Sequence, residues 1–386
     1  MTTRTKPAAS RTRAGLLLGA LAAVLAVGGP AALPASASDP DAGARAGGAG
    51  ARPVVAEHAT GVDTPAEALA VERHHTKARR ATAADAAALL RASGQAGAAG
   101  SAASARAERR TPTGLPGSLP AAGPSAAVVR EWVKDMPKGA AQEVRKAFAG
   151  ELAANQPLIR TVGKVEYTDP RDKLTYQCSG AAINSPSKMM VATAGHCIGV
   201  GGSSPSGDPN KRRWMENWVF TPAYNTGGVE APYGKFTAKH YSALDYWMSG
   251  AARPYDFGLV TTNPNAQGQR VVDAVGGFGL AWNYTFEEDR LIVGYPRSHD
   301  EGYSQYQFAG RTTTSIKESA MIMMPGAGFD YGGSGGPWLR NYDPVTGKAS
   351  INGVTSYIHN GSSNNNDSPH FDGGMKWLWD QEGSRT

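Results

Sequence analysis

The chain has 386 residues and a formal net charge of +6 at neutral pH. The cationic excess lies in residues 1–159, with 19 Lys and Arg against 12 Asp and Glu, whereas residues 160–386 carry 20 against 21. The second part therefore lacks the basic field that nucleic-acid binding needs, and no stretch beyond the first 37 residues is long and apolar enough to span a bilayer.

Arg4, Lys6, Arg11 and Arg13 precede an apolar segment over residues 14–27, and Ala35-Ser36-Ala37 provides a small-residue cleavage site. This order predicts a signal peptide over 1–37 and an exported protein. As a membrane anchor the run is too short, and Gly28-Gly29-Pro30 ends it. Residues 38–124 are dominated by Ala, Gly, Arg, Ser and Pro, too poor in large apolar side chains to offset the entropy of folding. They read as a propeptide or low-complexity leader, disordered or in part helical over 66–92. The pair His74-His75 reads as solvated, since a zinc site needs three or four placed ligands. Apolar residues Val128, Val129, Trp132, Val133 and Met136 precede Pro137, and Val144, Phe148 and Leu152 follow at helical spacing, which predicts a helical pair broken by the proline.

From Val162 onward, short apolar runs are separated by Gly, Pro, Asn and Asp clusters, the texture of many short strands. A sandwich and barrels both fit. Met375-Lys376-Trp377-Leu378-Trp379 predicts a short terminal helix.

Three stretches in this region carry chemistry. In Gly332-Gly333-Ser334-Gly335-Gly336-Pro337 a serine is flanked by glycines that permit a tight turn and let amides converge beside the hydroxyl. By itself this is an ordinary Gly-rich turn. A serine nucleophile needs a base and fixed oxyanion donors. His196, at the abrupt end of the apolar run 189–192, is the candidate base. Asp256, entering the apolar run Phe257-Gly258-Leu259-Val260, is the candidate acid. A buried carboxylate needs a partner, and an imidazole Nδ1–H supplies one while leaving Nε2 free to accept from serine. Asp245 is the reserve aspartate.

Thr193-Ala194-Gly195-His196-Cys197, Asp256-Phe257-Gly258-Leu259-Val260 and Gly332-Gly333-Ser334-Gly335-Gly336-Pro337 together resemble the active-site blocks of the chymotrypsin-like serine peptidases, in that family's order of His, Asp, Ser. The resemblance covers residues 162–386. It implies an all-β fold of two six-stranded antiparallel barrels, residues 161–275 and 276–386, with the active site in the cleft between them and a short C-terminal helix, preceded by the leader 38–160. It also implies a secreted serine endopeptidase that works through His196, Asp256 and Ser334, with Gly332 and Ser334 amides as the oxyanion hole. Neither cofactor nor metal is expected. The expected partners are a protein or peptide substrate and the chain's own propeptide, and the protein is expected to be a monomer.

Cys178 and Cys197 are the only cysteines, and an exported pair is expected to be oxidised. The bond resembles the family's disulfide beside its histidine. Ser356, in Gly353-Val354-Thr355-Ser356-Tyr357-Ile358, matches the serine that supports the aspartate, and with Tyr357 it belongs to the strand that pairs with substrate backbone. Two positions depart from the trypsin-like branch. Gly333 replaces the aspartate that receives a freed amino terminus, which suits the glutamyl-endopeptidase-like branch and maturation by propeptide removal. Gly328 stands where an aspartate would select basic side chains, with Asp330 nearby. His359 and His370 are available to receive an acidic side chain. Gly332 to Gly336 also fits the nucleophile elbow of a secreted esterase, which demands a helix directly after the serine. A non-catalytic binding module on the same fold is the other alternative.

Overall fold

The computed structural model describes residues 53–75, 84–85, 114–123, 150–151, 158–202, 212–225, 227, 230–359 and 364–386. The expected signal segment and, apart from residues 150–151, the expected helical pair lie outside these residues. The main elements in chain order are β1 (Val55–Ala59), α1 (Pro65–His74), β2 (Val162–Thr168), β3 (Thr175–Ala182), β4 (Met190–Thr193), β5 (Glu216–Pro222), β6 (Phe236–Leu244) and β7 (Gly258–Thr262). They continue with β8 (Gly279–Trp282), β9 (Asp289–Gly294), β10 (Tyr306–Arg311), β11 (Thr313–Thr314), β12 (Met321–Met324), β13 (Pro337–Asp343), β14 (Lys348–Val354), β15 (Tyr357–Ile358), β16 (Asn366–Pro369) and α2 (Gly373–Glu382).

Six strands close on themselves. β6 pairs with β5, β5 with β2, β2 with β3, β3 with β4, β4 with β7, and β7 returns to β6, every pair antiparallel. Closure removes the unpaired edges that an open sheet would expose. Val165, Cys178, Val191, Phe220, Phe236 and Leu259 are buried in its core, and each fully buried aliphatic or aromatic side chain stabilises the fold by roughly 1.5 to 3 kcal/mol.

The later strands follow the same all-β plan with a different hydrogen-bond pattern. β8 joins β14 in parallel, β14 pairs with β13, β13 with β9 and β9 with β10, while β11, β12, β16 and β15 form a separate four-stranded sheet. Only Thr312 separates β10 from β11, so this segment carries the chain from one sheet into the other. Ile292, Ile322, Met324, Phe329 and Trp338 pack between them. The expected terminal helix forms as α2, capped by Asp372, whose side chain accepts from Gly374 N at 2.7 Å. Its Met375 and Leu378 are buried.

The described part of the leader is more ordered than its composition predicts. β1 adds to the edge of β6, from Val55 opposite Leu244 to Ala59 opposite His240. α1 begins with a capping box in which Thr64 and Glu67 satisfy each other's backbone amides. The composition argument treated this segment alone, whereas here the barrel supplies the apolar partner and the strand edge. Among the described residues no helix is long and apolar enough to cross a membrane.

Candidate active site

β4 ends at Thr193, and Gly195–Cys197 makes one tight turn that presents His196. A side chain at Gly195 would lie 2.7 Å from the Trp247 ring, so glycine is what lets the indole close over this turn. The disulfide Cys178–Cys197 ties β3 to the residue after His196, with Cα atoms 6.2 Å apart. His196 and the two cysteines have ligand-type atoms within 4.8 Å of one another, but both sulfurs are committed to each other, which leaves one nitrogen and no metal-binding set.

Asp256 follows the short turn Arg253–Tyr255 just ahead of β7. Its carboxylate is buried and holds three donors. Oδ1 accepts from the His196 backbone amide at 2.8 Å, and Oδ2 lies 2.8 Å from His196 Nδ1 and accepts from Ser356 Oγ at 2.5 Å. Such bonds are what make a buried carboxylate tolerable. They also place the proton on Nδ1, because the carboxylate is an acceptor only. Nε2 is left buried without a hydrogen-bond partner among the described residues.

Ser334 sits in a turn in which Gly333 N donates to Asp330 O, Gly336 N to Gly333 O and Gly335 N to Thr355 O. Gly332 and Gly335 have φ of +87° and +80°. A side chain at Gly335 would meet Thr193 Oγ1 at 2.2 Å. The amides of Gly332 and Ser334 donate to no other described group. Ser179 fastens the turn to the first barrel: its N donates to Ser334 O at 2.7 Å, and its Oγ donates to Gly332 O at 2.8 Å while accepting from Tyr295 N at 2.9 Å. Thr193 Oγ1 donates in turn to Ser179 O. Beyond Pro337 the chain enters strand β13, so the helix that a nucleophile elbow requires is not formed.

The remaining predicted residues are placed as follows. Asp245 opens a separate short helix and accepts from Ser249 Oγ at 2.5 Å, with no bond to His196. Gly328 takes φ +67° and donates to Asn364 O. Asp330 accepts from Ser298 N and Oγ at 3.0 and 2.9 Å, at the surface. Tyr357 pairs with Asp367 in β16 and carries the Arg253 guanidinium 4.4 Å above its ring. His359 Nε2 is engaged by Asp367 at 2.8 Å, and His370 Nε2 donates to Tyr284 O at 2.6 Å. Each therefore has one ring nitrogen committed, while His359 Nδ1 is buried with no partner among the described residues. Burial pushes His370 down to about 4.

No protein-family model matches the chain, and no curated protein matches it in sequence. Solved structures do match. It is similar to the protease Anisep from Arthrobacter nicotinovorans, at 26% identity and TM-score 0.52 over 61% of this chain and 100% of that one. A thermostable serine protease, AL20, from an extremophilic microorganism matches at 23% identity and TM-score 0.51, over 59% of this chain and 98% of that one. The chain therefore shares the fold of these serine proteases. A Glu endopeptidase also matches, at 17% identity and TM-score 0.46 over 61% of this chain and 97% of that one.

Within this peptidase fold, two supports of the site escaped the sequence reading. Ser179 is one residue from Cys178 but gains its partners only through pairing more than a hundred residues away. Asn366 grips Phe329 through both backbone groups, its Oδ1 accepting from Phe329 N at 2.8 Å and its Nδ2 donating to Phe329 O at 2.7 Å. Its only sequence signal was a run of asparagines, which reads as loop.

Proposed function

We propose that the protein is a secreted serine endopeptidase of the glutamyl-endopeptidase-like branch, acting through an acyl-enzyme. Ser334 Oγ attacks the peptide carbonyl, His196 Nε2 takes the proton and returns it to the leaving amine, and Asp256 holds the imidazole in the required tautomer. Water then releases the acyl group by the same steps. The amides of Gly332 and Ser334 bind the oxyanion, each donor contributing roughly 3 to 4 kcal/mol in the transition state. The observation that carries this reading is the buried carboxylate shared by the His196 amide, His196 Nδ1 and Ser356 Oγ, in a fold whose relatives are proteases. Base and acid come from residues 161–275 and the nucleophile from 276–386.

A peptide fits this site better than a simple ester. β15, one residue beyond Ser356, is the outermost strand of its four-stranded sheet, and an extended peptide can add to such an edge through main-chain bonds. Side-chain choice is set by a loop without a free charge. Gly328 carries none and Asp330 turns to Ser298, so Lys and Arg are disfavoured before the cleaved bond, because an unpaired buried cation is costly. Acidic residues are the first choice, with His359, whose Nδ1 has no partner among the described residues, as the group to receive them, and mid-sized apolar ones are the next.

Residues 1–37 act as the signal peptide and the leader is cut between residues 148 and 162, which N-terminal sequencing of the exported protein checks. The mature enzyme works as a monomer. Cleavage of a mixed peptide library by the secreted protein, with Ser334→Ala as control, tests the function. Peptide cleavage lost in the control is expected. Ester hydrolysis without peptide cleavage, or unchanged cleavage by Ser334→Ala, overturns it.

A further inference from the structure

The leader segment 53–75 is anchored at both ends and along its length. Asp245 N donates to Val54 O at 2.8 Å and Thr60 N to Lys239 O at 2.9 Å, which extends the β1–β6 ladder at either end. Thr60 Oγ1 donates to Ala238 O and Asn263 Nδ2 to Val62 O, each at 2.8 Å. The His58 ring stacks on Trp214 and Tyr241, with centroids 5.7 and 6.0 Å away. The C-terminal helix region closes on it from the other side, through Trp377 Nε1 donating to Pro53 O at 2.9 Å and Arg385 donating to Glu57 at 2.6 Å. Ala56, Ala68, Val71 and His75 are buried in this dock.

The named partners lie on β6, on Trp214, at Asn263 and in the C-terminal region beginning at α2, and none is His196, Asp256 or Ser334. The ladder does reach the site indirectly. It ends at Asp245, the first residue of the short helix Asp245–Met248, whose Trp247 donates to Gly199 O at 3.0 Å and packs beside the His196 turn, with ring centroids 6.5 Å apart.

We propose that residues 53–75 are a permanent brace of the folded protein, which stays bound without a covalent link once the chain is cut on its C-terminal side. An added strand with both flanks hydrogen-bonded, an aromatic stack and a buried apolar face has the composition of a stable intramolecular strand addition. A leader serving only to cover the catalytic groups has no need of anchors on β6, on Trp214 and in the C-terminal region. The brace holds the Asp245–Met248 helix, and so Trp247, against the His196 turn.

The test uses the full chain carrying Ser334→Ala, so that it is independent of the hydrolytic reading, with a site for a sequence-specific protease introduced among residues 124–149. After cutting, gel filtration in native buffer is expected to elute the fragment containing residues 53–75 together with the body, and urea is expected to part them. A second chain with Glu57→Ala and His58→Ala is expected to part at lower urea. Elution of the fragment apart from the body in native buffer overturns the proposal, as does an unchanged urea midpoint in the second chain.

Discussion

Asp256 concentrates three donors on one buried carboxylate, and the value of that arrangement lies in the tautomer it imposes. In Asp256→Asn an amide can present its N–H to Nδ1 and leave the proton on Nε2, where it cannot accept from Ser334. Turnover is expected to fall about ten-thousandfold, whereas Asp245→Asn stays near the parent; steady-state kinetics on the peptide found by library cleavage checks both. Ser179 acts one step further out, by pinning the Gly332 carbonyl, which lies between the two amides proposed to bind the oxyanion. Ser179→Ala leaves Gly332 O and Tyr295 N without that partner, and a lost buried hydrogen bond of about 1 to 3 kcal/mol is expected to lower kcat roughly tenfold to hundredfold with little change in KM. A rise in KM at constant kcat would show that Ser179 serves substrate binding instead. The pairing of His196 with Asp256 could be anticipated because each stands in a locally distinctive run, as does Ser334, the proposed nucleophile. The role of Ser179 could not, because a serine in a strand shows no sign of partners brought from the other end of the chain.

At the scale of the element, β3 and the His196 turn are joined by the disulfide across 19 residues. Cross-linking a loop of that size stabilises by about 3 kcal/mol, so the double variant Cys178→Ser, Cys197→Ser is expected to lose an amount of that order in denaturant unfolding. A loss well below 1 kcal/mol would mean that β3, β4 and the turn are held by packing alone. Strand and turn signals announced most of the barrel strands. β1 stayed hidden because Val-Ala-Glu-His-Ala has neither the apolar alternation nor the bulk of a strand, and only the waiting edge of β6 makes it one. The division of the later strands into two sheets was equally out of reach, since it depends on where hydrogen bonding lapses and not on which residues favour strands.

For the molecule as a whole, acid bears on the fold through histidines held below their ordinary range. His370 has its value held near 4 by burial, below the ordinary 6.5, and His58 and His240 are lowered for the same first cause. The unfolded chain therefore binds protons that the folded chain refuses. The associated stability is fully present above about pH 6.5 and is lost as pH falls toward 4. Thermal unfolding is expected to drop across that window, and His370→Gln, which keeps a donor for Tyr284 O, is expected to flatten part of the slope. An identical slope in the variant would assign the acid sensitivity to other groups.

The bonds from Ser179 to the Ser334 turn, and from Ser356 back to Asp256, join segments that lie far apart in the chain. On the proposed mechanism neither half holds a working set of groups, since one carries the proposed base and acid and the other carries the proposed nucleophile and the hydroxyl that steadies Asp256. If the proposed mechanism holds, a nascent or partly unfolded chain has no hydrolytic power of its own, copies still folding are harmless to one another, and the capacity for self-digestion arrives only with the last contact that completes the fold.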